Sequence, residues 1–99
     1  MAAAHCERDN MQLDRVFKAL GNPVRLQIVR FIQKHPHCTG NQIQLQLPDS
    51  AARAQSTLSQ HLKILRSVAL IEACDEGSAT CYVVNRATLE WLSGQLAHL

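Results

Sequence analysis

Residues Ala54–Ile71, AQSTLSQHLKILRSVALI, carry two chemistries at one helical spacing. Leu58, Leu62 and Leu65 recur at i, i+4 and i+7, the buried stripe of an amphipathic helix. Gln55, Ser56, Thr57, Ser59 and Gln60 offer short amide and hydroxyl groups near the start, while the cations Lys63 and Arg66 come later. A helix that enters a DNA groove needs that order, because its first turns meet base edges and its later turns meet phosphate. Gln55, Ser56, Thr57, Ser59 and Gln60 are therefore candidates for base or backbone contact, and Lys63 and Arg66 for phosphate contact. The competing reading is an ordinary solvated helix face.

Charge separates the two readings. The net +2 of the chain conceals a segment, Arg15 to Ile71, with eight cations and one anion, a balance of +7 between ends of −2 and −3. A basic centre with acidic flanks matches a core that faces phosphate while its termini turn away. Ninety-nine residues suit one domain, and a chain this short gains by enlarging its core through association. No apolar run approaches the ~20 residues of a membrane span, and Met1–Cys6 lacks the apolar core of a signal peptide. A cytoplasmic location without membrane contact is expected. The four cysteines, Cys6, Cys38, Cys74 and Cys81, form no CxxC pair, so reduced thiols are the expectation.

Outward from the central helix, Leu13, Val16, Phe17 and Leu20 make one helical face that stops at Gly21. Asn22-Pro23 restarts the chain with a natural N-cap and a proline at the first helical position, and Val24, Ile28, Phe31 and Ile32 carry the next helix to about Lys34. Asn41–Leu47 reads as a short helix ended by Pro48, and Asp49–Arg53 as a connection, with Ser50 an alternative cap for an earlier start of the central helix. Ile71–Cys74 and Thr80–Val84 flank the turn-rich Asp75–Ala79, which predicts a β-hairpin. Leu89, Leu92, Leu96 and Leu99 then recur at 3, 4, 3 spacing, a seam that calls for a partner surface.

Two strings resemble the ArsR-type winged helix-turn-helix regulators. Gln55-Ser56-Thr57-Leu58-Ser59-Gln60-His61-Leu62-Lys63-Ile64-Leu65 is similar to the family's recognition-helix pattern, and Ala19-Leu20-Gly21-Asn22-Pro23-Val24-Arg25-Leu26 to the opening of its second helix. The resemblance spans Leu13 to Leu99. It implies a mostly α fold of about five helices with a two- or three-stranded antiparallel β-wing, one domain over residues 1–99, with 1–10 a flexible N-terminal segment. It also implies a homodimer on a pseudo-palindromic double-stranded DNA operator, acting as a repressor relieved by an effector. The alternative function is a winged-helix protein-contact module without direct DNA binding; the +7 centre argues against it. No catalytic constellation stands out, so no enzyme activity, cofactor or resident metal is expected.

Within that resemblance, His61 is carried over as a structural, backbone-contacting or DNA-contacting residue, since nothing at a triad or two-His spacing accompanies it. Arsenic- and cadmium-responsive relatives place a Cys-x-Cys pair before the reader helix, because soft thiolates select soft metals. Here the string is Cys38-Thr39-Gly40, which keeps one thiol. Cys38, Cys81 and Cys6 are the candidates for a thiol-reactive or soft-metal effector, with His35 or His37 as helpers and Cys74 dispensable. One route to such a site pairs the strand of Cys38 with the wing strand of Cys81. The competing reading packs each cysteine as a small buried hydrophobe. Only Glu90 and His98 stand on the terminal helix to serve the paired-helix zinc site of other relatives, so zinc sensing there is not expected.

Overall fold

The computed structural model describes residues 2–47, 55–77 and 79–99. Helix α1 runs Ala2–Leu20 and α2 Pro23–Lys34, followed by strand β1 at Cys38–Thr39 and helix α3 at Gly40–Leu45. Helix α4 spans Gln55–Ser67, the hairpin strands β2 and β3 span Ile71–Glu76 and Ala79–Val84, and α5 closes the chain at Arg86–Ala97. Among the described residues, five helices and three antiparallel strands, ordered β1-β3-β2, form a winged helix-turn-helix.

Local chemistry explains most of the boundaries. The Asn22 side chain accepts hydrogen bonds from the Val24 and Arg25 amides at 2.9 and 3.2 Å, with Pro23 at the start of α2 where its missing N–H costs nothing. Thr39 caps α3 reciprocally with Gln42: the threonine oxygen accepts from the Gln42 amide, and the Gln42 oxygen accepts from the Thr39 amide. Asn85 caps α5 by accepting from the Thr88 amide at 3.2 Å.

Three boundaries depart from the sequence expectation. α1 begins at Ala2, well before the apolar face that starts at Leu13; the alanines at its start are strong helix formers that an apolar-face count ignores. The central stretch does not continue as helix to Ile71. It ends at Ser67, where Ala69 turns left-handed at φ 61°, the Leu70 amide donates to the Leu65 carbonyl and the Ala69 amide to that of Arg66, both at 3.0 Å. That 6→1 and 5→2 pair is a Schellman ending without glycine, held by Leu65 and Leu70, both fully buried. The hairpin strands also reach further than expected, pairing Asp75 with Thr80 and Glu76 with Ala79, because backbone pairing extends past the apolar residues to a turn at Gly77, whose φ is +68°. Pro48, the Asp49–Arg53 connection and the alternative cap Ser50 lie outside the described residues.

One core joins all of these elements. Leu58, Leu62 and Leu65 of α4 are buried with Leu13 and Val16 of α1, Ile28 and Ile32 of α2, Ile43 of α3, Ile71 of β2 and Leu92 of α5. Each such side chain contributes about 1.5–3 kcal/mol of apolar burial, so the leucine stripe fixes which face of α4 is left outside.

Candidate nucleic-acid interface

The stripe buried, the opposite side of α4 is turned outward. Ser56, Ser59, Gln60, Lys63 and Arg66 are exposed and Thr57 is half-buried, while Gln55 is the first residue of the helix. Ser59 also lines a cleft of about 420 Å³ between α4, the start of α3 and the wing, shared with Asn41, Gln44, Thr80 and Tyr82. Short polar groups on an exposed helix beside an antiparallel wing have the chemistry that base edges and the flanking backbone of a major groove accept.

His61 is half-buried on α4 and meets Arg25 of α2. Its Nδ1 lies 3.2 Å from Nη1 of Arg25, which also donates through Nε to the Ala19 carbonyl at 2.7 Å and through Nη2 to that of Lys18 at 3.3 Å. Arg25 thus satisfies orphan carbonyls at the end of α1 and braces α4 from α2. Sequence reading singled out His61 but missed this partner; the signal was the arginine inside the Ala19–Leu26 string, where only its family position was noticed. Burial first, and the Arg25 charge second, push the His61 imidazole below its ordinary 6.5.

This shift has a testable sign. The folded state holds the neutral ring, which accepts from Arg25, whereas the unfolded chain takes up a proton near the ordinary value. The stabilisation is therefore complete above about pH 6.5 and is lost as pH falls through the window below it. His61→Asn keeps an acceptor and removes the titration, so its unfolding free energy should fall less between about pH 7 and about pH 5 than that of the wild type. Denaturant melts with equal pH slopes in both proteins would exclude His61 as the source.

The cysteines are arranged differently from the expectation. β1 does pair with β3, but the register sets Thr39 opposite Cys81 and Cys38 opposite Tyr82, so Cys38 and Cys81 point to opposite faces of the sheet. Cys38 is 3% exposed in the core, and burial raises its thiol pKa, which reduces its thiolate. Cys81 instead stands opposite Cys74, Cα to Cα 5.0 Å, and the two are joined as a disulfide. Cys74, expected to be dispensable, is thus the direct partner of Cys81. Cys6 lies in the first turns of α1.

An exposed polar helix, supported from behind by a helix pair and flanked by a hairpin, defines a helix-turn-helix regulator. Relatives agree. The chain is 30% identical over 69 residues to an uncharacterized HTH-type transcriptional regulator of Methanocaldococcus jannaschii, covering 70% of this chain and 73% of that protein. An ArsR-like transcriptional regulator from Rhodococcus sp. RHA1 shares its fold with a TM-score of 0.77 at 24% identity, over 90% of this chain and 79% of that one. The homodimeric winged helix-turn-helix DNA-binding domain of a possible ArsR-family regulator from Mycobacterium bovis superposes with a TM-score of 0.65 at 26% identity, over 97% and 82% of the two chains. No protein-family profile matches the chain. The chain belongs to the helix-turn-helix transcriptional regulators, and its fold is similar to that of ArsR-type members. Among the described residues no helix is long and apolar enough to cross a membrane.

Proposed function

We propose that the chain binds a pseudo-palindromic DNA operator as a homodimer and represses transcription until an effector releases it. The observation that carries this reading is the division of α4: Leu58, Leu62 and Leu65 are buried while Ser59, Gln60, Lys63 and Arg66 are exposed on a basic segment. In this reading Gln55, Ser56, Thr57, Ser59 and Gln60 meet base edges or nearby backbone, Lys63 and Arg66 meet phosphates, and His61 acts through Arg25.

Dimerisation is supported by apolar side chains that the chain leaves outside its own core. Met11 and Phe17 of α1, Leu96 of α5 and the terminal Leu99 are all exposed. The radius of gyration, 14.6 Å, also exceeds the about 13 Å of a compact domain this size, as expected when long helices await a partner. A two-fold dimer would present two reader helices about 34–36 Å apart, one turn of duplex. The effector belongs to the same reading as a thiol-reactive agent or soft metal, and among the described candidate thiols Cys81 is set beside a second sulfur.

The experiment is a titration of the full chain against duplexes from its own promoter and against random duplex, across a salt series. Gln60→Ala should lower affinity for the operator by about 1–3 kcal/mol and relax preference at one base pair, because an amide pairs with an adenine edge. Equal losses on operator and random DNA would remove Gln60 from base reading.

A further inference from the structure

The face of the sheet opposite Cys38 gathers two sulfurs, Cys81 buried and Cys74 half-buried, and the exposed imidazole of His37, none of which the DNA-binding surface uses. Cys74 of β2 and Cys81 of β3 are directly paired across the hairpin. His37, in the turn before β1, places Nδ1 at 3.6 Å from the Cys74 sulfur, and the ligand atoms of all three residues lie within 4.8 Å of one another. His37 is held there by its backbone: it adopts φ 67°, a left-handed conformation uncommon outside glycine, and its amide donates to the Tyr82 carbonyl at 2.9 Å.

We propose that, once the Cys74–Cys81 disulfide is reduced, Cys74, Cys81 and His37 form a binding site for a thiophilic divalent d10 cation, Zn²⁺ or its congener Cd²⁺. This site stands on the sheet geometry and not on the DNA-binding reading. A tetrahedral centre with Zn–S bonds of ~2.3 Å and a Zn–N bond of ~2.0–2.1 Å has an N···S edge of about 3.5 Å and an S···S edge of about 3.8 Å. The imidazole already sits at that edge from Cys74. Parting the two sulfurs to that edge requires side-chain rotation only, because the strand register holds their Cα atoms 5.0 Å apart. A nitrogen and two sulfurs select zinc-like ions over oxygen-seeking Mg²⁺ or Ca²⁺. Three protein ligands leave the fourth position to water, on the side where His37 is exposed.

The chemistry balances in two separate steps. A phosphine added as reductant gives two electrons to the disulfide, and water supplies the two protons and the oxygen of the phosphine oxide, leaving two thiols. The cation then displaces both thiol protons to solvent, with no change of oxidation state. The disulfide and the metal are thus mutually exclusive occupants of one pair of sulfurs. A bound cation would join the turn before β1 to the wing, whose Thr80 lines the cleft beside Ser59 together with Thr39 at the end of β1.

The test is a titration of the phosphine-reduced, chelator-treated full chain with Cd²⁺ under nitrogen, followed by thiolate-to-cadmium ultraviolet absorption, with Zn²⁺ competition. One Cd²⁺ per chain is expected, with absorption for two thiolates. Cys74→Ser, on the less buried of the two strands' sulfurs, should lower affinity at least 100-fold, His37→Gln at least 10-fold, and Cys38→Ser should change it less than 2-fold. Oxidation of the wild type with a diazene-type thiol oxidant should abolish binding, and reduction should restore it. Unchanged binding in Cys74→Ser, binding lost in Cys38→Ser instead, or no binding by the reduced wild type overturns the site, and unchanged affinity in His37→Gln overturns the three-residue ligand set.

Discussion

Replacing Leu96 by glutamate should give a monomer whose affinity for a two-half-site operator falls about 10²- to 10⁴-fold, because each reader helix then binds without the linkage that makes the second contact intramolecular. Leu96 is 47% exposed, so a carboxylate there stays in water in the monomer and the fold should hold within about 0.5 kcal/mol. In a dimer the same charge would lie in the buried seam. Leu92, one turn earlier in that seam, cannot make this distinction, since it is 8% exposed and belongs to the core of its own chain. A glutamate there would report folding, not association. Sedimentation should show one chain per particle for Leu96→Glu, with affinity for a single half-site retained; an intact dimer would refute the proposed seam.

The second large effect is electrostatic. The double variant Lys63→Ala with Arg66→Ala should bind every duplex more weakly and reduce the slope of log affinity against log salt by about two units, near 0.9 per phosphate contact. Extrapolated from 1 M salt, counterion release amounts to about 5-fold per contact at 0.15 M, hence about 30-fold for the pair. Both side chains are exposed, and among the described residues the recorded ion pair is the surface contact of Lys18 with Asp14, so neither deletion breaks a structural bridge. The loss should be the same for operator and random DNA, which separates these residues from Gln60. A slope unchanged from the wild type would place both cations off the phosphate track.

What could be read in the chain before its structure was whatever depends on near neighbours. The 3.6-residue repeat of Leu58, Leu62 and Leu65, the Asn22-Pro23 start of α2 and the turn residues around Gly77 each act within a few positions, and each produced the element expected of it. The capping box of Thr39 and Gln42 lies within the same short range. Periodicity also marked which side of α4 is outside, since burying the leucines leaves the polar residues no other place.

The tertiary structure decided everything that joins distant residues. Arg25 meets His61 across 36 positions because α2 and α4 pack together, and no spacing along the chain encodes that distance. The choice of sulfur partner depends on strand register: a one-residue offset between β1 and β3 sends Cys38 and Cys81, both buried, to opposite faces of the sheet, and on the face of Cys81 the hairpin supplies Cys74 and the turn supplies His37. Register alternates side chains at a period of two, so proximity of strands alone could not tell which pair of cysteines would meet. The leucine seam divided for a similar reason. Equal spacing made Leu92 and Leu96 look alike, and only the packing of α5 against the rest of the chain turned one inward and left the other for a partner.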